Sequence, residues 1–220
     1  MKDESHEFAY VLMERVGRPK HVVEVGAFGS AHLMVLPFIY DQKCIIDLIE
    51  PNPDACHELR QVYGRFSNIK IWECAIGPAA GNTILLVPRA LEGNPDAASS
   101  AYLAHLPGSP YTARAAAGRV EELSEIVVTT RSFDDVDDGT IDGLALDAEG
   151  AEWYVLEKLR SRPAVISVEM EGPDSYKSPF FAQINNWMQQ NNYVLKHVTH
   201  IGDGINIPTD YIYVRHNGHA

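Results

Sequence analysis

The sequence contains only three cysteines, Cys44, Cys56 and Cys74, and their spacing forms no CxxC pair or other metal-binding pattern. Each lies in an apolar or helical context, so we expect buried, reduced thiols. The chain also lacks an apolar run of the roughly 18 residues that a membrane span requires. Its first residues, MKDESHEF, are too charged for a signal peptide. These absences predict a cytoplasmic protein with no membrane partner.

Basic residues are scarce, since 18 lysines and arginines stand against 30 aspartates and glutamates, for a formal net charge of −12. A chain with this balance disfavours nucleic-acid phosphates, and no basic run offers a local exception. Internal repeats and low-complexity blocks are absent as well. With 45% hydrophobic and 22% charged residues, the 220-residue chain suits a single α/β domain over residues 1–220.

Apolar strands alternate with helical patterns along most of the chain. A helical spacing of apolar residues predicts a capping helix within residues 1–20. The remaining pattern predicts a Rossmann-like α/β fold with helices on both faces of a mixed seven-stranded sheet. The last two strands are joined too tightly for a crossover helix, so we expect the last strand to be antiparallel. The predicted strands are 21–25, 44–50, 69–74, 141–147, 164–170, 193–199 and 211–216, and the predicted helices after the first are 30–40, 53–65, 148–159 and 180–191.

Residues 88–118 interrupt this alternation, between extended segments predicted at 83–87 and 126–130. They are rich in Pro, Ala, Ser and Gly, and their periodicity is poor. A loop of this length in a compact domain is usually functional or mobile. We predict a lid-like insertion that contacts the substrate, and a disordered segment is the alternative.

The stretch HVVEVGAFGS, residues 21–30, places Gly26 and Gly29 directly after a short β-branched strand. Glycine tolerates positive φ and has no side chain, so the backbone can turn sharply beside a ligand. The spacing indicates a nucleotide site, although a tight turn without a ligand would have the same sequence.

Three acids end predicted parallel strands: Glu24, Glu50 and Asp147. In an open α/β sheet, ligands bind beyond the carboxyl ends of the strands, so these side chains are expected to converge. Glu50 follows the glycines by about one βαβ unit, where an acid can accept hydrogen bonds from both hydroxyls of a ribose.

Several segments together resemble the FkbM-type S-adenosylmethionine-dependent methyltransferases over about residues 22–170. They are VEVGAFGS, LIEPNPDACHEL, ECAIG, the pair Ser99 and Ser100, LALDAEGAEWYVL and VISVEME. The EPNP turn and the DAEGAE segment are the most specific of them. The resemblance implies methyl transfer from S-adenosylmethionine to a hydroxyl of a sugar or other small natural product. The alternatives are N-methylation of a small amine, a nicotinamide-dependent oxidoreductase, and a cofactor-binding module without catalysis.

The resemblance also implies the cofactor contacts. Glu24 is expected near the methionine amino group, Glu50 at the ribose hydroxyls and Ala75 near the adenine edge. The family often has Asp at the position of Glu24. It usually has a small polar residue at Phe28 and an aromatic residue near His32. The complete implied set is Glu24, Gly26, Ala27, Phe28, Gly29, Ser30, Glu50, Pro51, Asn52, Ala75, Ser100 and Asp147.

Methyl transfer also requires a group that takes up the proton of the acceptor. The predicted catalytic residues are Asp147, Glu171 and His200, the last placed in a loop after the sixth strand. A neutral imidazole is a natural base near pH 7, although His200 could equally be an ordinary loop histidine, and His105 is a second candidate. Acidic oxygens could also hold Mg²⁺ or Ca²⁺, but their spacing assigns no metal ligand. They belong to Asp147, Glu149, Glu169, Glu171 and Asp174.

Overall fold

The computed structural model describes residues 6–28, 33–88, 102–103, 123–171, 177–201 and 207–216. This part of the chain forms four α-helices and eleven strands. The helices are α1 (Glu7–Val16), α2 (Pro53–Tyr63), α3 (Glu152–Lys158) and α4 (Phe181–Gln190). The strands are β1 (His21–Val25), β2 (Ile45–Glu50), β3 (Ile69–Glu73), β4 (Ala75–Ile76), β5 (Gly81–Pro88), β6 (Tyr102–Leu103), β7 (Leu123–Arg131), β8 (Gly143–Leu146), β9 (Val165–Glu169), β10 (Tyr193–Ile201) and β11 (Ile207–Arg215).

The main sheet has seven strands in the order β10–β11–β9–β8–β1–β2–β3. Strands β3, β2, β1, β8 and β9 are parallel, and β11 is antiparallel to both β9 and β10. The predicted mixed sheet with an antiparallel last strand is therefore confirmed. The order of the parallel strands reverses beside β1, because β2 lies on one side of it and β8 on the other, so a ligand is expected at their carboxyl ends.

Helices cover both faces of this sheet, as predicted. On one face, α1 and α2 bury Phe8, Leu12 and Leu59 in one hydrophobic cluster. On the other face, Leu156 of α3 and Ile184 of α4 belong to a second cluster. The strands between the two clusters are apolar on both sides, which is why they are nearly continuous hydrophobic runs in the sequence.

A second sheet of four strands, in the order β4–β7–β5–β6, was not predicted. The predicted extended segments 83–87 and 126–130 are confirmed as parts of β5 and β7, which pair antiparallel from Gly81 with Thr130 to Pro88 with Leu123. Ala75, Leu85, Val128 and Ala151 form a small cluster that fixes this sheet to the start of α3. The second sheet thus forms a side wall beside the carboxyl end of β3.

The helix predicted at 30–40 is wrong in the part that the structure describes. Only a 3-10 turn, Leu36–Phe38, lies there, and residues 29–32 are outside the described ranges. Pro37 has no N–H to donate to a helix, and the N–H groups of Met34 and Val35 donate instead to the Glu24 carboxyl group. The backbone donors that a regular helix would need are thus taken by a side chain.

Three further predictions concern the cysteines, membrane-spanning segments and the insertion. Cys44, Cys56 and Cys74 are buried and free, as predicted. Among the described residues, no helix has the length and apolarity needed to cross a membrane. The lid-like insertion predicted at 88–118 lies outside the described residues apart from Pro88 and β6.

Candidate functional site

Gly26 forms the turn that follows β1. Its φ is +88°, and a Cβ atom built on it would lie 1.7 Å from the carbonyl oxygen of Asp147. The N–H groups of Gly26 and Ala27 both donate to the carbonyl of Ile49, at 2.9 and 3.1 Å. The turn is therefore held from β2 on one side and β8 on the other, and only glycine fits it.

A cavity of about 270 Å³ opens at this turn, at the carboxyl ends of β1, β2 and β8. Its floor is formed by the strand ends, and Leu85 of the second sheet contributes to its wall. The lining residues are Glu24, Val25, Gly26, Phe28, Met34, Ile49, Glu50, Pro51, Cys74, Ala75, Ile76, Leu85, Asp147, Ala148, Glu149 and Ala151. The cavity combines apolar side chains with a small number of carboxyl groups, as is typical of sites for small organic ligands.

Glu24 lines the cavity and is only 3% exposed. Its two carboxyl oxygens accept hydrogen bonds from the backbone N–H groups of Met34 and Val35, at 3.0 and 3.1 Å. Burial raises the pKa of Glu24 to about 8 in spite of these donors. Glu24 therefore ties the segment after the glycine turn to the end of β1.

Glu50 also lines the cavity and is 3% exposed. Its Oε1 accepts the backbone N–H of Asn52 at 2.7 Å, while the Asn52 side chain caps α2 by accepting from the N–H of Asp54 at 3.0 Å. Burial raises the pKa of Glu50 to about 7, and the negative charge of Asp147 adds to this effect. The EPNP segment thus orients a buried acid toward the ligand space.

Asp147 begins a row of three acids that crosses adjacent strands. Leu146 of β8 pairs with Val168 of β9, so Asp147 and Glu169 follow side by side, and Glu169 pairs in turn with Asp210 of β11. The Asp147 and Glu169 side chains are hydrogen-bonded to each other. We call Asp147, Glu169 and Asp210 the acid row.

The pKa shifts and the hydrogen-bond partners of the three acids differ from one end of the acid row to the other. Burial raises the pKa of Asp147 to about 6, while its hydrogen bond with Glu169 opposes the rise. Burial and the charge of Asp147 hold the pKa of Glu169 well above its usual range. At the far end, the Asp210 carboxyl group accepts hydrogen bonds from the hydroxyls of Thr199 and Thr209, at 2.7 and 3.1 Å.

The DAEGAE segment shapes the loop after β8. Glu149 has a φ of +51° and lines the cavity. Glu152, which is fully buried, accepts the N–H groups of Ala148 and Gly150 on its Oε1, both at 3.0 Å. It lies in the first turn of α3, where the helix dipole favours a negative charge. This acid keeps the loop close to the cavity.

Most of the predicted cofactor residues meet at the cavity, namely Glu24, Gly26, Phe28, Glu50, Pro51, Ala75 and Asp147. Ala27 is fully buried and Asn52 caps α2, so both support the wall without lining it. Outside the described residues lie Gly29, Ser30, His32, Ser100, His105 and Asp174. The apolar lining residues Met34, Ile76, Leu85 and Ala151 were not predicted, since nothing in their sequence context distinguishes them from core residues.

Two predicted catalytic residues do not line the cavity. Glu171 accepts a hydrogen bond from the hydroxyl of Tyr211 at 2.6 Å and forms an ion pair with Lys177 at 3.2 Å. His200 is exposed and lies within β10, opposite Pro208, so its predicted place in a loop is wrong. The reason is that the β10–β11 hairpin continues past the last apolar residue of the strand pattern.

A metal site finds no support in the described part of the chain, where no group of three or more His, Cys, Asp or Glu residues could hold an ion. Asp147 and Glu169, two of the acids considered as ligands, instead bond to each other. The suggestion of bound Mg²⁺ is therefore not supported.

The sequence matches a family model described as the methyltransferase FkbM domain, over residues 16–195. The chain belongs to the FkbM methyltransferase family. It is an S-adenosylmethionine-dependent methyltransferase, as its sequence resemblance predicted. A search of curated proteins gives no match.

Solved structures share the fold of this FkbM methyltransferase at low sequence identity. The methyltransferase domain of bacterial CtHen1-C aligns with a TM-score of 0.51 and 9% identity, covering 96% of this chain and 98% of that one. A precorrin-6y C5,15-methyltransferase from Geobacter metallireducens aligns with a TM-score of 0.47 and 14% identity, covering 95% and 88%. Fibrillarin from Aeropyrum pernix, solved with S-adenosyl-L-methionine, aligns with a TM-score of 0.48 and 12% identity, covering 96% and 76%. The Rossmann-like fold predicted from the sequence is confirmed, and it is the fold of the class I S-adenosylmethionine-dependent methyltransferases.

Proposed function

We propose that the protein transfers a methyl group from S-adenosylmethionine to a hydroxyl group of a sugar or another small natural product. The observation that carries this proposal is the position of Asp147. Asp147 lines the cavity at the carboxyl end of β8, and its backbone carbonyl lies directly beside the glycine turn. A carboxylate there can accept the proton that a hydroxyl loses on methylation.

The cavity residues fit the cofactor in four respects. Because Gly26 has no side chain, its turn packs against the Asp147 carbonyl and holds the ends of β1 and β8 together beside the space for the methionine end. Glu50 offers a buried carboxyl group for the ribose hydroxyls, and Leu85 contributes an apolar wall near Ala75 for the adenine. Asp147 also matches the positive charge of the sulfonium, and an ammonium group beside Glu24 would favour the ionised form of that acid against the effect of its burial.

When bound, S-adenosylmethionine supplies a methyl group already activated by its sulfonium. The protein must then align the acceptor and accept a proton. Asp147 is suited to this task because its pKa of about 6 leaves it mostly ionised at pH 7 while keeping it more basic than an ordinary aspartate. As the pH falls through 6, the carboxylate becomes protonated and the rate should fall with it.

Glu171 and His200 are also predicted catalytic residues, but we assign the role of the general base to Asp147. Glu171 is engaged by Tyr211 and Lys177, and His200 lies on the exposed side of the hairpin strand β10. Either residue would have to reach the cavity to act as the base, whereas Asp147 already contributes to the cavity wall.

The acceptor class is tested with matched pairs of small sugars and natural-product fragments that carry either a hydroxyl or an amine at the same position. We expect purified protein and S-adenosylmethionine to methylate oxygen, as detected by mass spectrometry of the products. Boiled protein and NAD in place of S-adenosylmethionine are the controls. Methylation of the amines alone would replace the proposal with N-methylation.

Glu50→Ala is expected to weaken the binding of S-adenosylhomocysteine by about 1–3 kcal/mol, or about 5–150-fold, because the ribose hydroxyls lose a buried acceptor. Isothermal titration calorimetry measures the difference. The matched control is Glu73→Ala on the neighbouring strand, where the carboxyl group is 40% exposed and paired with Arg60 at 2.6 Å. If Glu50→Ala bound as tightly as the control, Glu50 would not contact the ribose.

A further inference from the structure

Glu169 is the member of the acid row that the proposed function leaves without a task. It ends β9 between Asp147, which follows β8, and Asp210 on β11. Its side chain is hydrogen-bonded to that of Asp147, and its Oε2 atom is buried without a hydrogen-bond partner. Unlike Asp147, Glu169 does not line the cavity.

Two carboxyl groups can form a hydrogen bond with each other only if one of them carries a proton. The acid row also has like charges on both sides of Glu169, so a negative charge there would be repelled by Asp147, Glu149 and Asp210. Asp147 faces the open cavity, whereas Asp210 is stabilised by two hydroxyl donors. Both outer acids are thus better placed than Glu169 to hold the negative charge.

We propose that Glu169 is a protonated, uncharged positioning residue whose O–H donates a hydrogen bond to Asp147 and keeps Asp147 ionised and correctly oriented. The link to methyl transfer rests on the proposed function of Asp147. The protonation of Glu169 and its bond to Asp147 do not depend on that function.

The expected reaction does not change the protonation state of Glu169. The acceptor oxygen forms a bond with the methyl carbon, the carbon–sulfur bond breaks, and its electron pair remains on sulfur. The acceptor O–H proton passes to Asp147, which faces the cavity and can release it to solvent. Glu169 keeps its own proton throughout and favours the ionised form of Asp147 before each turnover.

Other charged groups surround this pair, and those that raise pKa values here are all acidic. Glu149, in the loop after β8, and Asp210 on β11 raise the pKa of Glu169, and Asp210 also raises the pKa of Asp147. On β1, β2 and α3, the acids Glu24, Glu50 and Glu152 lie close enough for the charge of Asp147 to raise their own pKa values. The donor from Glu169 is the interaction that lowers the pKa of Asp147 against this background.

Infrared difference spectroscopy of the protein alone at pH 7 tests the protonation state. Comparison of wild type with Glu169→Gln should show the loss of one carbonyl stretch of a protonated carboxyl group. The control is Glu14→Gln, whose exposed side chain pairs with Lys196 on the surface, and it should remove an ionised carboxylate band instead. Loss of a carboxylate band in Glu169→Gln would show that Glu169 is charged and would overturn the proposal.

Carboxyl ¹³C NMR of the aspartates, with Asp147 assigned from Asp147→Asn, tests the effect on the neighbour. Glu169→Leu removes the donor and should raise the titration midpoint of Asp147 by about one pH unit, a tenfold change in its proton affinity. Glu169→Gln keeps an N–H donor and should leave the midpoint within a few tenths of a unit. A midpoint that falls in Glu169→Gln, or stays unchanged in Glu169→Leu, contradicts the proposal.

Thermal unfolding and S-adenosylhomocysteine binding establish whether each variant is folded. If Glu169→Leu does not fold, the Glu169→Gln variant alone tests the protonation state of Glu169 in both spectroscopic experiments. An active Asp147→Asn variant together with the expected spectra would refute the proposed role of Asp147 but leave the protonated Glu169 intact. The two proposals therefore fail in distinguishable ways.

Discussion

Gly26→Ala should abolish measurable binding of S-adenosylhomocysteine and lower the free energy of unfolding by about 3 kcal/mol or more. The added Cβ would lie 1.7 Å from the Asp147 carbonyl oxygen, so β1 and β8 would have to separate at the cavity floor. An alanine at a φ of +88° adds conformational strain of about 1–2 kcal/mol. Calorimetry measures the binding, and urea denaturation measures the stability.

The matched control for this variant is Gly139→Ala. Gly139 has a φ of +90°, but no atom lies within 4 Å of its added Cβ. It should therefore show the strain alone, with cofactor binding unchanged. Equal losses in both variants would mean that the left-handed conformation, and not the close approach to Asp147, explains the effect.

Asp147→Asn should reduce kcat by about 100-fold or more, because a general base contributes roughly 10²–10⁴-fold to such reactions. Binding of S-adenosylhomocysteine should change by only a few fold, since the amide keeps the shape of the side chain. Product formation measured from pH 5 to pH 9 should also lose the acid limb near pH 6 that we expect for the wild type, because burial raises the pKa of Asp147 to about 6.

Asp134→Asn is a suitable control for this experiment, because the Asp134 side chain is 38% exposed and pairs with Arg160 at 3.2 Å. Its pH profile should match that of the wild type. An Asp147→Asn variant that retained the wild-type rate would show that another group accepts the proton, with Glu171 and His200 as the next residues to substitute.

Much of the cavity could be predicted because its signals are local. Glu24, Glu50 and Asp147 each follow a buried parallel strand, and the carboxyl ends of such strands meet at one edge. The glycine turn is likewise specified by a short segment, residues 21–30. These residues needed no knowledge of how distant parts of the chain pair.

The remaining features depend on distant pairings that the sequence pattern does not reveal. The acid row requires the register of β8, β9 and β11, which brings Asp210 beside Glu169 from 41 positions away in the sequence. The second sheet similarly depends on the pairing of β5 with β7. The wrong helix at 30–40 has the same origin, because the Glu24 side chain takes backbone donors that local propensity assigns to a helix.

The ladder between β5 and β7 has a consequence for how this enzyme could diversify. It pairs without interruption as far as Pro88 and Leu123, and between these two residues the chain returns once to the second sheet, where β6 pairs with Leu85 and Leu86 of β5. The entropy of closing a flexible loop rises by only about 0.6 kcal/mol for each doubling of its length. Insertions and deletions between β5 and β6, or between β6 and β7, would therefore cost little in loop closure while Leu85 keeps its place in the cavity wall. The connection between β5 and β7 is therefore a position at which segments could be exchanged between related enzymes.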